Sequence, residues 1–206
     1  MIAGNPSTAI VPAAVPVAAT TAQTSADPRM GERALGHADA PVTVDEWFSL
    51  TCPHCAAFSM NTLPEVKKNL IDTGKMRMVF HDFPLDQVAL TAAMVARSLP
   101  ADRYEPFCAA LLAAQDRWAY AGGGNVTDEL AKFAALAGMA RPAFDAAIAD
   151  QALKAEILKV QDEASKIYQV DSTPTFIING PAAKNRHESG DRSYDEFAKL
   201  IAQAAG

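Results

Sequence analysis

Apolar residues alternate with polar ones, then recur every three or four positions, in an order that sorts the chain into strands and helices. Val42 and Val44, followed by Trp47 and Phe48, make an apolar stretch over 42–50 that reads as a buried strand. Phe58, Leu63, Val66, Leu70 and Ile71 then recur at helical spacing, with Pro64 expected to kink that helix and Gly74 to end it. Met76, Met78 and Phe80 alternate against Arg77 and Val79, which predicts a strand over 75–80, and Phe83-Pro84-Leu85 breaks the chain direction. From 86 to 169 the pattern is helical almost throughout, punctuated by Pro100, Gly122-Gly123-Gly124, Gly138 and Pro142. It predicts helices over 88–99, along the stripe Tyr104, Phe107, Cys108, Leu111 and Leu112, after an N-cap at Thr127, over 144–149, and along Leu153, Ile157, Val160, Ala164 and Ile167. Strand character returns at 175–178, an irregular polar edge strand is expected over 184–189, and an amphipathic helix over 194–205 closes the chain. With a short opening strand within 29–35, the order is that of an α/β chain with an all-helical insertion: one domain from 29–85 and 170–206, and the insertion from 86–169.

Residues 1–28 carry no periodic face. They are rich in Ala, Pro, Thr, Val and Ser with almost no charge, and read as a flexible leader or tether. The apolar stretch 9–19 is broken by Pro12 and Pro16, is too short to span a bilayer, and has no Lys or Arg before it. The full chain has 206 residues, half of them hydrophobic, which is enough for one large core. A net charge of −6 argues against nucleic acid or an anionic membrane surface as partner.

Chemistry enters with the three cysteines. Cys52-Pro53-His54-Cys55 lies between the first core strand and the first helix. That order places Cys52 at a helix N-terminus, where unpaired N–H groups and the helix dipole favour a thiolate. Pro53 suits the first helical position, and His54 can add positive charge beside the sulfur. A structural zinc site needs four Cys/His ligands, and the only other cysteine is Cys108 on an apolar helical stripe, so no metal is expected. A structural disulfide across so short a loop would restrain little of the unfolded chain. A redox dithiol fits best, with Cys108 a buried small hydrophobe. His37 and His81 read as surface or packed histidines, and Trp47 as core.

A second motif, Val170-Asp171-Ser172-Thr173-Pro174-Thr175 before a strand, joins the first. Together with the helical insertion, the two motifs make residues 29–206 resemble the thioredoxin superfamily, and within it the DsbA-type thiol:disulfide oxidoreductases, which use Pro-His between the cysteines. The resemblance implies a thioredoxin-like fold and a set of roles. Cys52 would be the exposed nucleophile and Cys55 the buried resolving thiol. Pro174 would be a cis-proline facing the dithiol, with Thr173 pairing with a bound peptide. Glu46, six positions before Cys52, matches the family's buried acid and would relay a proton to Cys55. The base often paired with that acid is missing: Val79 stands in its place, and Arg77 is the nearest candidate.

The expected function is donation of the Cys52–Cys55 disulfide to unfolded, cysteine-containing exported polypeptides, in the periplasm, by a monomer that needs no cofactor. A membrane quinone-coupled partner would reoxidise it, as the resemblance implies. The alternatives are a disulfide isomerase or reductase, or a peptide-binding chaperone with an incidental dithiol.

Overall fold

The computed structural model of the protein describes residues 27–120 and 125–206. The expected leader therefore lies outside the described residues except for Asp27 and Pro28, as does the glycine run at 122–124. Asp27 and Pro28 belong to the folded part. Asp27 caps a 3₁₀ turn over Pro28–Met30, accepts the Arg29 backbone N–H at 2.9 Å, and the Arg29 guanidinium also reaches Asp150 at 2.8 Å.

Among the described residues, five strands, β1 (Ala34–Leu35), β2 (Val42–Phe48), β3 (Met76–Asp82), β4 (Thr175–Gly180) and β5 (Ala183–Ser189), form one sheet in the order β1-β3-β2-β4-β5. Only β2 and β3 are parallel; β1 with β3, β2 with β4, and β4 with β5 are antiparallel. A parallel pair needs a crossover, and the helical run after Cys52 provides it. The two-residue period of β2 divides its side chains between two layers. Val42, Val44 and Phe48 face the main core, with Met76, Met78 and Phe80 of β3 and Phe176 and Ile178 of β4. Trp47 faces the other side, with Ile177, Val170 and Ala164. Glu46 belongs by parity to the main-core face, in register between Phe80 and Phe176.

The crossover consists of α1 (Pro53–Ala57) and α2 (Leu63–Val66), joined and extended by wider turns over Phe58–Thr62 and Lys67–Ile71. The kink expected at Pro64 is taken up there. The Leu63 N–H reaches back five residues to the Phe58 carbonyl, and this widened turn accommodates a ring that can donate no hydrogen bond. Phe58 packs with Phe176 and Phe197, with ring centroids 4.7–5.5 Å apart. Phe197 lies on α9 (Tyr194–Ala205), which begins with a capping box of Ser193 and Glu196. Gly180 lets α9 approach the sheet: a Cβ there would lie 2.4 Å from the Ala204 carbonyl oxygen.

Among the described residues, six helices connect β3 to β4: α3 (Gln87–Arg97), α4 (Ala101–Leu112), α5 (Gln115–Trp118), α6 (Val126–Leu136), α7 (Arg141–Ala149) and α8 (Gln151–Ile167). Three details differ from the sequence pattern. The short α5 was not expected. The N-cap of α6 is Asn125, whose side chain accepts the Thr127 N–H at 3.0 Å, so Thr127 lies inside the helix. Ile167, the last residue of α8, is 63% exposed, because the helix end has passed the edge of the apolar layer. The stripe on α4 is buried as expected, Cys108 included. It covers a polar knot in which the Arg97 Nε donates to Asp82 at 2.5 Å and the Tyr104 hydroxyl donates to the other Asp82 oxygen at 2.8 Å. Among the described residues, no helix is long and apolar enough to cross a membrane.

Candidate active site

Past the end of β2, a tight turn carries the chain into α1. The Cys52 N–H donates to the Ser49 carbonyl at 3.1 Å, and Cys52 itself, extended at φ −82° and ψ 120°, caps α1 with Pro53 in its first turn. The Cys52 Sγ accepts the Cys55 N–H at 3.4 Å. It also lies 3.2 Å from the Thr173 carbonyl oxygen, to which the thiol donates when protonated. The Thr173–Pro174 peptide bond is cis. Both cysteines are free thiols in this structure. The fold thus brings together two motifs 121 residues apart in sequence.

The two thiols are driven in opposite directions. The Cys52 pKa falls to about 5, first through its hydrogen bond with the Cys55 side chain, then through the Thr173 side chain and the backbone N–H groups of Cys55 and His54, with burial opposing. Burial pushes the Cys55 thiol well above its usual range, and the hydrogen bond and charge of Cys52 add to the effect. The Thr173 hydroxyl is buried and has no hydrogen-bond partner among the described residues, which leaves it available to a thiolate.

Two expectations about this pair need correction. Cys52, expected to be exposed, is only 4% exposed, because the turn is packed beneath the cis-proline loop. The His54 ring, expected to place charge beside the sulfur, instead sets its Nδ1 2.8 Å from Asp191, so His54 acts on Cys52 through its backbone N–H. Glu46 is 4% exposed, and burial first, then the charge of Glu105, raises its pKa to about 8. Its charge also contributes, after burial and Cys52, to raising the Cys55 thiol. Arg77 does not serve as its base. Odd-numbered positions of β3 face the opposite side of the sheet, and Arg77 pairs with Glu32. His81 is packed, stacked on Trp47 at 4.3 Å and bonded to Asp45 at 2.8 Å, while His37 is exposed.

Four residues that the sequence did not single out hold the turn in place. The Gln115 side chain on α5 donates to the carbonyls of Leu50 and Cys52 at 2.9 and 3.0 Å. The Tyr120 hydroxyl donates to the Thr51 carbonyl. The Thr51 hydroxyl donates to Asp86 at 2.7 Å, and the other Asp86 oxygen caps α3 at the Ala89 N–H. Asp86 carried a readable signal, since an aspartate just before a helical pattern is a favoured N-cap. For Gln115, Tyr120 and Thr51 no local signal existed, because their partners are backbone carbonyls and distant side chains.

The thioredoxin family model matches residues 29–203. The chain belongs to the thioredoxin family. Its fold is thioredoxin-like, and within the family the likeness is to the DsbA type. The crystal structure of α-DsbA1 from Wolbachia pipientis is 30% identical, with a TM-score of 0.77 over 84% of this chain and 90% of that one. Disulfide bond formation protein D of Bacillus subtilis is 26% identical over 180 residues, 83% of this chain and 76% of the relative. A Rickettsia prowazekii protein provisionally named protein-disulfide oxidoreductase is 29% identical over 171 residues. That match covers 82% of this chain but 60% of the relative, so the chain spans about three-fifths of that protein's length.

Proposed function

We propose that this chain is a dithiol oxidase that donates the Cys52–Cys55 disulfide to cysteine-containing polypeptides exported from the cytoplasm. The observation that carries the reading is the split acidity of the two thiols, with Cys52 near 5 and Cys55 far above the usual thiol value. A client thiolate attacks the Cys52 sulfur, and Cys55 leaves and takes up a proton. A second client thiolate then attacks the client's own sulfur and releases Cys52. Because Cys52 leaves as a stable thiolate, this last step runs forward. Pro53 opens α1 and so sets the position of the sulfur. His54 contributes its N–H, Glu46 supplies the proton for Cys55, and Thr173 and Pro174 form the edge on which a peptide backbone would lie. Each donation leaves the Cys52–Cys55 pair reduced, so a further turnover needs a reoxidising partner, by family likeness one coupled to a membrane quinone pool. Periplasmic location belongs to the same proposal.

The test is the reduction potential of the pair against glutathione. A value nearer about −120 mV than about −270 mV supports a donor; a value at the reducing end makes the chain a reductase. Retention of all folding activity by Cys52→Ala would make it a chaperone instead.

A further inference from the structure

Between the sheet, the chain that follows α1 and the helix α4 lies a cavity of about 20 Å³, with Glu46 and Glu105 among its lining residues. That volume has room for one water molecule, provided polar groups are there to hold it. The two carboxyls are such groups. Glu46 is almost wholly buried, while Glu105 of α4 is only half-buried and so reaches solvent. Burial, then the charge of Glu105, accounts for the raised Glu46 carboxyl; no hydrogen bond contributes. Burial also raises Glu105, with Lys67 opposing from outside. The other titratable groups facing Glu46 are Tyr104 and Cys108 from α4 and Cys55 from α1. The Tyr104 hydroxyl is committed to Asp82, and Asp82 to Arg97. Burial pushes the Cys108 thiol up, so it stays neutral. Glu105 is therefore the group in this wall with both a carboxyl toward Glu46 and access to bulk water.

We propose that Glu105 is the outer proton carrier of the site, exchanging a proton with Glu46 across the cavity so that Glu46 can serve the Cys55 sulfur. The inference rests on the dithiol-oxidase reading and extends it to where the proton comes from. When the client thiolate attacks the Cys52 sulfur, the S–S bond breaks and its electron pair stays on the Cys55 sulfur. The Glu46 carboxyl gives that sulfur its proton and becomes a carboxylate. Glu105 takes a proton from solvent and returns it to Glu46. The second client thiolate then frees Cys52 as a thiolate. The client loses two electrons and two protons, the Cys pair gains both electrons, Cys55 keeps one proton, and the other goes to solvent. On reoxidation the proton runs outward along the same path. Glu105 is a relay residue acting through Glu46, since it does not touch the reacting sulfurs.

The experiment uses the whole chain as Glu105→Gln, with Glu105→Asp and Glu46→Gln beside it. It measures single-turnover oxidation of a reduced dithiol peptide across pH, and the titration of Glu46 by carboxyl carbon NMR. Glu105→Gln should slow the turnover at neutral pH by roughly tenfold, a smaller loss than removing a group that hands the proton over directly. It should also move the Glu46 titration to lower pH, because a like charge is gone. Glu105→Asp should restore most of the rate, and Glu105→Gln should cost nothing further in the Glu46→Gln background. A wild-type pH–rate profile in Glu105→Gln overturns the proposal, even if the Glu46 titration moves, since the charge effect alone is then at work. So does an additive loss in the double variant. If the unaltered protein fails to oxidise the peptide, the proposed function falls instead; an unmoved Glu46 titration in Glu105→Gln would then still overturn the pairing of the two carboxyls.

Discussion

Lowering the pH from 7 to 4.5 should remove stability that the reduced protein owes to the Cys52 thiolate. The folded pKa is about 5, against 9.0 for an ordinary cysteine thiol. A depressed pKa stabilises the fold fully above the unfolded value, progressively less between the two values, and not at all below the folded one. At pH 7 the two pH units above the folded pKa are worth about 2.7 kcal/mol, at ~1.36 kcal/mol each. Residual screening by solvent trims this to about 2 kcal/mol. The disulfide form has no such thiolate, so the same energy makes the couple about 45 mV more oxidising. The assay is a pair of urea or thermal melts on the reduced protein and on Cys52→Ala, at pH 7 and pH 4.5. Glu46 and the other titrating groups are present in both proteins and largely cancel in the difference. The wild type should lose about 2 kcal/mol more than the variant between the two pH values, or roughly 4–8 °C in Tm for a chain of this size. A difference between the two proteins that does not change with pH would refute the assignment of a stabilised thiolate to Cys52.

Two further substitutions test the surroundings. Thr173→Val removes the buried hydroxyl that favours the thiolate, so the Cys52 pKa, read from thiolate absorbance, should rise. His54→Ala should leave most of the depression in place, because the ring is held by Asp191 and the backbone N–H survives the substitution. Asp82→Ala leaves the Arg97 guanidinium and the Tyr104 hydroxyl buried without their partner, and should cost about 3–5 kcal/mol in denaturant melts, as breaking one side of a buried pair does.

The sequence carried the strands, the helices and the two motifs because each rests on local pattern. Alternation in β2 put Val42, Val44 and Phe48 on one face, and the same parity carries Glu46 inward. That parity also excludes Arg77 as its base, since Arg77 and Glu46 face opposite sides of a parallel pair whose register was not visible in the pattern. The proline motif announced a partner for Cys52. Which Thr173 atoms meet the sulfur depended on packing between segments 121 residues apart. The His54 ring is the instructive miss. Its charge type suggested a role at the thiolate, but Asp191, between β5 and α9, competes for it, and no spacing rule links the two positions. Gln115 was invisible for a similar reason: its work is done on backbone carbonyls at the end of another element.

The burial of Cys55 has a kinetic consequence for the proposed reaction. Once a client is joined to Cys52, two thiolates compete for that mixed disulfide. The client's second thiol completes the transfer, and Cys55 reverses it. Attack requires the thiolate, and Cys55 has its pKa held above the ordinary 9.0 by burial. At pH 7 Cys55 is therefore ionised to a smaller extent than an ordinary client thiol, which near ~8.5 is ionised to about 3% and meets no burial penalty. Whichever way the mixed disulfide resolves by attack on the client sulfur, Cys52 is the leaving group, and its low pKa speeds departure. The asymmetry thus favours donation over reversal without any contact to the client beyond the sulfur. A peptide with a single cysteine isolates the reversal step, since it offers no second thiol. Its mixed disulfide with Cys52 should persist longer as the pH falls from 8 to 6, with the reversal rate dropping by up to about tenfold per unit. If Glu46 accepts the Cys55 proton the trend has the same sign, because Glu46, near 8, is itself increasingly protonated over that range. A reversal rate flat between pH 6 and 8 would mean that Cys55 is already ionised in the mixed disulfide, and that its burial does not protect the donor.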